Sequence, residues 1–424
     1  MTQPAGPATL EYASDPGTRE PSFFQAADVR DGIAVGAMLW ATSAYLTDKF
    51  GGQLLTFAYL PLAVAGSILL LAAGRRYGAR RTWAWAAIAV VEILAIGLLA
   101  FVYPKADGVK FNPNGTYNPA RGSDRDDALD VGTDALLHGE NPYRQTTYQG
   151  LPISPMPGAF LLAGPFVATT GRSAHQIPVW IALFGVTVYA LTRRIEAVAI
   201  ALLLLVPGWF AMVQEIATGG DYAINALYVI CAGTWLLLTA RRPWWRLVAA
   251  FVFGIAMASR TSFVFAAPAL FAGLWRLAGP RAALALTALS LAVFWGCNWP
   301  YYWWNPPLFG PLQMQDKFAD RFHIQHITLL MAGLAAIAAV ESTLSTARRG
   351  GGPRRMAIGW LWALVATVSL PCAVASVLEL VLYGDPPFFF RWAAVAVPPL
   401  ILMIVVARFH ADANDAADAG SESS

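Results

Sequence analysis

The sequence predicts an all-α, polytopic membrane protein. Of its 424 residues, 57% are hydrophobic and only 13% are charged. The mean hydropathy is +0.50, and the apolar residues fall in runs long enough to cross a bilayer, not in the narrow stripes of a soluble core. Arginines punctuate the runs at Arg75-Arg76, Arg80-Arg81, Arg193-Arg194, Arg241-Arg242, Arg276 with Arg281, Arg348-Arg349 and Arg354-Arg355. The positive-inside rule places these loops in the cytoplasm.

Residues 1–31 form a polar N-terminal tail with Asp15, Arg19, Glu20, Asp28, Arg30 and Asp31. No short apolar run ending in small residues precedes the first span, so that span is expected to be the insertion signal itself. Within a membrane domain over 32–408, runs read as crossings lie at 33–48, 54–73, 83–103, 176–192, 197–214, 222–239, 244–258, 262–275, 282–299, 327–342, 356–380 and 392–408. That gives about twelve transmembrane helices and both termini inside. The apolar stretch 155–167 is short and interrupted by Pro155, Pro157 and Pro165. It is expected to be a re-entrant or interfacial helix on the outer face, because a full crossing there would invert every arginine loop after it.

Polar sequence outside the membrane concentrates in a long stretch from Val102 to Ser154, whose loop is assigned to 104–154, and in a second outer loop at 300–326. A compact third loop runs from Tyr383 to Trp392. The Ala-, Asp-, Gly- and Ser-rich segment 409–424 reads as a disordered cytoplasmic tail. A net charge of +3 with no basic surface excludes nucleic acid as a partner. Cys231, Cys297 and Cys372 sit in or beside apolar runs and read as packing residues. His323 and His326 lack a third ligand nearby, so no metal site is expected.

The long outer loop is net acidic and contains Asp124, Asp126, Asp127 and Asp130. On a helix, Asp126 and Asp130 share a face, as do Asp127 and Asp130, while Asp124 falls at the N-terminus as a cap. A solvated acidic helix start would account for the charges. Their place after the third span and before Gly139-Glu-Asn-Pro-Tyr143 instead suits a general base where lipid-linked substrates meet water. Asn141, Pro142 and Tyr143 are expected to fix the geometry of that segment.

Gly122-Ser-Asp124, then Ala135-Leu-Leu-His-Gly-Glu-Asn-Pro-Tyr143, then Pro152-Ile-Ser-Pro155 and Pro157-Gly-Ala-Phe-Leu-Leu-Ala-Gly-Pro-Phe166 resemble the first outer loop of GT-C membrane glycosyltransferases. The likeness is greatest to the bacterial branch that includes polyprenyl-phosphate-mannose and polyprenyl-phosphate-arabinofuranose transferases. It extends to Thr218-Gly-Gly-Asp-Tyr-Ala-Ile-Asn225 and Ala256-Met-Ala-Ser-Arg-Thr261, covering residues 83–275. The resemblance implies a GT-C-like fold and an aspartate base early in the first outer loop, best matched by Asp124, with Asp126 and Asp127 as alternatives. It further implies a polyprenyl-phosphate sugar donor, a glycan or lipid acceptor, and a site on the outer face of a bacterial inner membrane. A divalent cation remains an option and no other cofactor is implied.

Breaking a glycosyl–phosphate bond calls for a base at the acceptor hydroxyl and cations or dipoles at the departing phosphate. Arg260 and Arg391, at the outer ends of helices, are candidates for the phosphate, and snorkelling to lipid headgroups is the alternative. Lys317 and Arg321 in the second outer loop are further candidates. Asp221 reads as an N-cap, with Gly219, Gly220 and Tyr222 letting a sugar or phosphate approach the helix N-terminus. Tyr301-Tyr302-Trp303-Trp304 and Phe388-Phe389-Phe390 fit an interfacial aromatic belt. Glu92 and Glu379 are intramembrane carboxylates and define a rival reading, a transporter or flippase of a lipid-linked or small polar substrate. A scaffold presenting the outer loop is a third.

Overall fold

Apolar runs without water to satisfy their backbone must close their own hydrogen bonds, and here they do so as helices. The computed structural model describes residues 24–76, 81–112, 114–118, 124–313, 322, 327–349, 351–383 and 388–421. The helices are α1 Ala26–Arg76, α2 Arg81–Gly97, α3 Tyr103–Gly108, α4 Arg125–Leu137, α5 Pro157–Thr170, α6 Gln176–Thr192, α7 Ile195–Leu205, α8 Phe210–Thr218, α9 Tyr222–Thr239, α10 Pro243–Met257, α11 Ala267–Ala278, α12 Pro280–Trp304, α13 Ile327–Arg348, α14 Pro353–Tyr383 and α15 Val397–Ser421. A wide π turn, Leu98–Val102, joins α2 to α3. Among the described residues, nine helical segments are long and apolar enough to cross a membrane, or ten if α7 and α8 count as one broken span.

That number is below the twelve runs read from the sequence, for local reasons. The first two runs are the arms of one hairpin, α1, which turns at Gly52 in a left-handed conformation (φ +67°) that a side chain would oppose. Trp40 Nε1 donates to Thr56 O at 2.9 Å and the Thr47 and Thr56 hydroxyls meet at 2.9 Å, tying the arms together. The run 197–214 is not straight. Pro207-Gly208 interrupts it, and α7 meets α8 at 75°.

The backbone freed at that break is satisfied by the α1 hairpin. Tyr59 Oη donates to Gly208 O at 2.8 Å and accepts from Phe210 N at 3.0 Å, while Ser43 Oγ accepts from Ala211 N at 3.1 Å. Trp209, fully buried, donates from Nε1 to Thr42 Oγ1 at 3.0 Å. A broken span is tolerated where neighbouring hydroxyls replace its missing partners. The last helix continues to Ser421, past residue 409, where composition predicts a disordered tail.

α5 begins where Gly158 N donates to Ala258 O at 2.9 Å and ends beside Ser173, whose N–H donates to Asp130 at 2.7 Å. Both ends therefore lie at the same end of the bundle as the acidic helix α4. The arginine loops gather at the opposite end. Arg276 donates to Ala347 O at 2.6 Å and Arg241 to Leu277 O at 3.3 Å. Arg193 and Arg354 line one cavity. Arg408 pairs with Asp28 and lies 3.7 Å from Asp31, so the start of α1 and the membrane portion of α15 meet at this end.

Candidate functional site

The acidic helix is held by a chain of buried charges. Asp126, completely buried, accepts from Lys110 Nζ at 2.9 and 2.8 Å and from Tyr103 Oη at 3.1 Å. Lys110 also reaches Asp107 at 2.7 Å. Arg172 bridges Asp107 at 3.0 Å and Asp130 at 3.4 Å. The face shared by Asp126 and Asp130 is thus turned inward and engaged in fastening α4 to α3 and to the start of α6. Burial pushes the Asp126 carboxyl up to about 6, with the Lys110 ammonium opposing the shift. Asp130 is also raised by burial, against the Ser173 and Arg172 hydrogen bonds.

Asp127 is engaged elsewhere. Its Oδ2 accepts from Tyr148 N at 2.7 Å and holds the loop after the Asn-Pro-Tyr turn. Asp124 occupies the N-cap position of α4 but makes no capping bond. It is half-exposed, and its carboxylate has no hydrogen-bond partner among the described residues. Gly122 and Ser123, just before it, lie outside the described residues.

The Asn141–Tyr143 turn does pack as a support. Asn141 Oδ1 accepts from Tyr143 N at 3.0 Å, Pro142 opens a single 3-10 turn, and Tyr143 Oη donates to Pro155 O at 2.9 Å. The Tyr143 ring is buried in a small core with Leu129 of α4, Phe160 of α5 and Phe309. The turn therefore couples the acidic helix to the loop preceding α5.

Next to Asp124, Arg125 pairs with Glu215 near the end of α8, and Glu215 Oε2 accepts from Tyr222 N at 2.9 Å. This corrects the expectation that the Gly-Gly turn leaves the α9 N-terminus open to a ligand. A carboxylate of the chain already occupies it. Gly219 (φ +70°) has no room for a side chain, since a Cβ there would lie 2.8 Å from the Tyr103 ring and 2.9 Å from Asp126 Cβ. Asp221 is also not a simple cap: its Oδ2 accepts from Arg260 Nη2 at 2.9 Å and from Asn225 Nδ2 at 2.9 Å, and no capping bond forms.

Arg260, Arg391, Asp221 and Tyr222 are brought together. The guanidiniums of Arg125 and Arg260 each lie 4.2 Å from the Tyr222 ring centroid. Trp392 meets the same ring at 5.2 Å, and Arg391 lies over Trp392 and Tyr45. Glu379, fully buried, is within electrostatic reach of Arg391. Arg125 and Glu215 were not singled out in the sequence. The one available signal was an acid in the otherwise apolar run before Gly219.

A cavity of about 390 Å³ opens from this cluster. Its head carries Ser154, Tyr222, Ser259, Arg260 and Ser262, and its body runs between apolar residues of α13 and α14 such as Met331, Ala335 and Val368. Arg260 engages Asp221 through Nη2, while its buried Nε has no hydrogen-bond partner among the described residues. Among the described residues no three His, Cys, Asp or Glu side chains converge as metal ligands. Lys317, Arg321, His323 and His326 lie outside the described residues. Among known proteins, no family model, no curated protein and no solved structure matches this chain.

Proposed function

We propose that the chain is a GT-C-type glycosyltransferase that moves a sugar from a polyprenyl-phosphate donor to a glycan or lipid acceptor on the outer face of a bacterial inner membrane. The observation that carries this reading is the cavity headed by Arg260: apolar along most of its length, polar at one end, with a guanidinium whose buried Nε–H has no hydrogen-bond partner among the described residues. An isoprenoid chain suits the body and a phosphate suits the head. Asp124 directly precedes Arg125, whose guanidinium stacks on Tyr222 at the cavity head.

In this scheme the acceptor hydroxyl oxygen attacks the anomeric carbon and its proton passes to the Asp124 carboxylate. The anomeric carbon–oxygen bond to phosphate breaks, the electron pair leaves with the polyprenyl phosphate, and configuration inverts. Arg260, aided by Arg391, stabilises the departing charge. Asp126 and Asp127 position the helix without touching substrate. The proposed topology has twelve crossings, counting both arms of α1, the broken α7–α8 pair and the short α10, with α5 interfacial and both termini cytoplasmic.

The test is transfer from polyprenyl-phosphate sugars in proteoliposomes. Asp124→Asn should cost at least about a hundredfold in rate with donor binding little changed, the scale of a lost general base. Full transfer by that variant removes Asp124 from the role. Loss of substrate uptake in Glu92→Gln or Glu379→Gln, with no transfer by the parent from any donor, would favour the transporter instead.

A further inference from the structure

At the arginine end of the bundle, a second cavity of about 830 Å³ runs between α2 and α6 with α7 at its back. Arg81, Trp85, Ile88 and Glu92 line it from α2, at the spacing that places residues on one helix face. Gly185, Val186 and Tyr189 of α6 form the facing wall. Arg193 and Arg194 follow at the mouth, and Glu196 stands in the first turn of α7. At 1.5 Å per helical residue, Glu92 lies about 16 Å deeper than Arg81.

The charges at the mouth do not satisfy one another. Neither Arg81, Arg193 nor Arg194 makes an ion pair with a described residue, and Glu196, only 4% exposed, makes no side-chain hydrogen bond or ion pair with one. Arg193 is also the one non-glycine among the described residues with positive φ (+59°), and it lines the neighbouring cavity of Arg354 and Arg355 as well. A plain anion would answer the arginines alone and leave the Glu196 carboxylate, which lines the same cavity, without a cation. A ligand with both an anion and an ammonium answers both.

We propose that this cavity binds a zwitterionic aminophospholipid, of the phosphatidylethanolamine class, from the leaflet at the arginine end. Its phosphate lies among Arg81, Arg193 and Arg194, its ammonium donates to Glu196, and an acyl chain follows Trp85, Ile88 and Val186 inward. Glu92 lies at acyl depth and takes no part in reading the headgroup. The site is at the opposite end of the helices from Asp124 and does not depend on the glycosyltransferase reading.

The experiment is native mass spectrometry of the full chain released from nanodiscs of equal phosphatidylethanolamine and phosphatidylglycerol. The parent should retain the aminolipid over the glycerol lipid by at least about tenfold, the scale of a buried charged hydrogen bond. Glu196→Gln should bring that ratio near one, Arg193→Gln should lower retention of both lipids, and Glu92→Gln should leave the ratio unchanged. Equal retention by the parent, an unchanged ratio in Glu196→Gln, or an equal loss in Glu92→Gln overturns the proposal. So does displacement of the lipid by excess soluble glycerophosphoethanolamine, which would mean that the apolar walls hold no acyl chain.

Discussion

Replacing Lys110 with methionine isolates the charge chain that holds the acidic helix, and its effect is calculable. Burial raises the Asp126 carboxyl from its ordinary 3.8 to about 6. A carboxyl with a raised folded pKa binds more protons in the folded state, so its contribution to stability falls as pH rises from about 4 to about 6 and is level above that. The parent thus bears a cost of about 3 kcal/mol at pH 7.5 and about 1.6 kcal/mol at pH 5. Without the ammonium, burial pushes the carboxyl higher still, and its cost is bounded by that of a fully protonated group, set by the distance of the pH from 3.8. That bound is about 5 kcal/mol at pH 7.5 and about 1.6 kcal/mol at pH 5. Lys110→Met should therefore lose up to about 2 kcal/mol more than the parent at pH 7.5, and almost nothing from this source at pH 5. The lost Asp107 contact adds a pH-independent term. Unfolding in detergent followed by tryptophan fluorescence reads both conditions, and the double variant Lys110→Met/Asp126→Asn should show no such pH difference. An equal loss at both pH values for the single variant would refute the assignment of Lys110 as the group that keeps Asp126 charged.

Tyr143→Phe should destabilise by about 1–3 kcal/mol, because the buried Pro155 carbonyl loses its donor; an unchanged unfolding midpoint would show that this bond does not hold the turn. Gly219→Ala should cost about 2 kcal/mol or more, combining positive φ with a Cβ pressed against Tyr103 and Asp126, and wild-type thermal stability would contradict the packing at that turn. With cysteines introduced at Thr116 and Gly352, an impermeant maleimide should label only Thr116→Cys in intact cells. Labelling of Gly352→Cys alone would reverse the topology and place Asp124 in the cytoplasm.

What was legible in the sequence follows from the range of the physics involved. Hydrophobic runs are local, so most helices lie close to where the runs place them, and the prolines at 155, 157 and 165 coincide with the short helix α5. The breaks were less visible, because Pro207-Gly208 is tolerated only where Tyr59, Ser43 and Thr42 of a distant hairpin supply replacement partners. The roles of the aspartates were least visible of all. Spacing put Asp126 and Asp130 on one face but could not say that the face turns inward, since Lys110 is 16 residues from Asp126 and Glu215 is 90 from Arg125. Composition weighted all four acids alike. Only the packed structure divides them into carboxylates that hold the helix and one, Asp124, that makes no hydrogen bond to a described residue. A general base must reach the substrate proton, and Asp126, completely buried with both oxygens on an ammonium and a phenol, cannot do so without dismantling its own support. The same logic separates Arg260 from a lipid-snorkelling arginine: its anchoring to Asp221 fixes the guanidinium at the wall of the cavity, with the buried Nε left without a hydrogen-bond partner among the described residues.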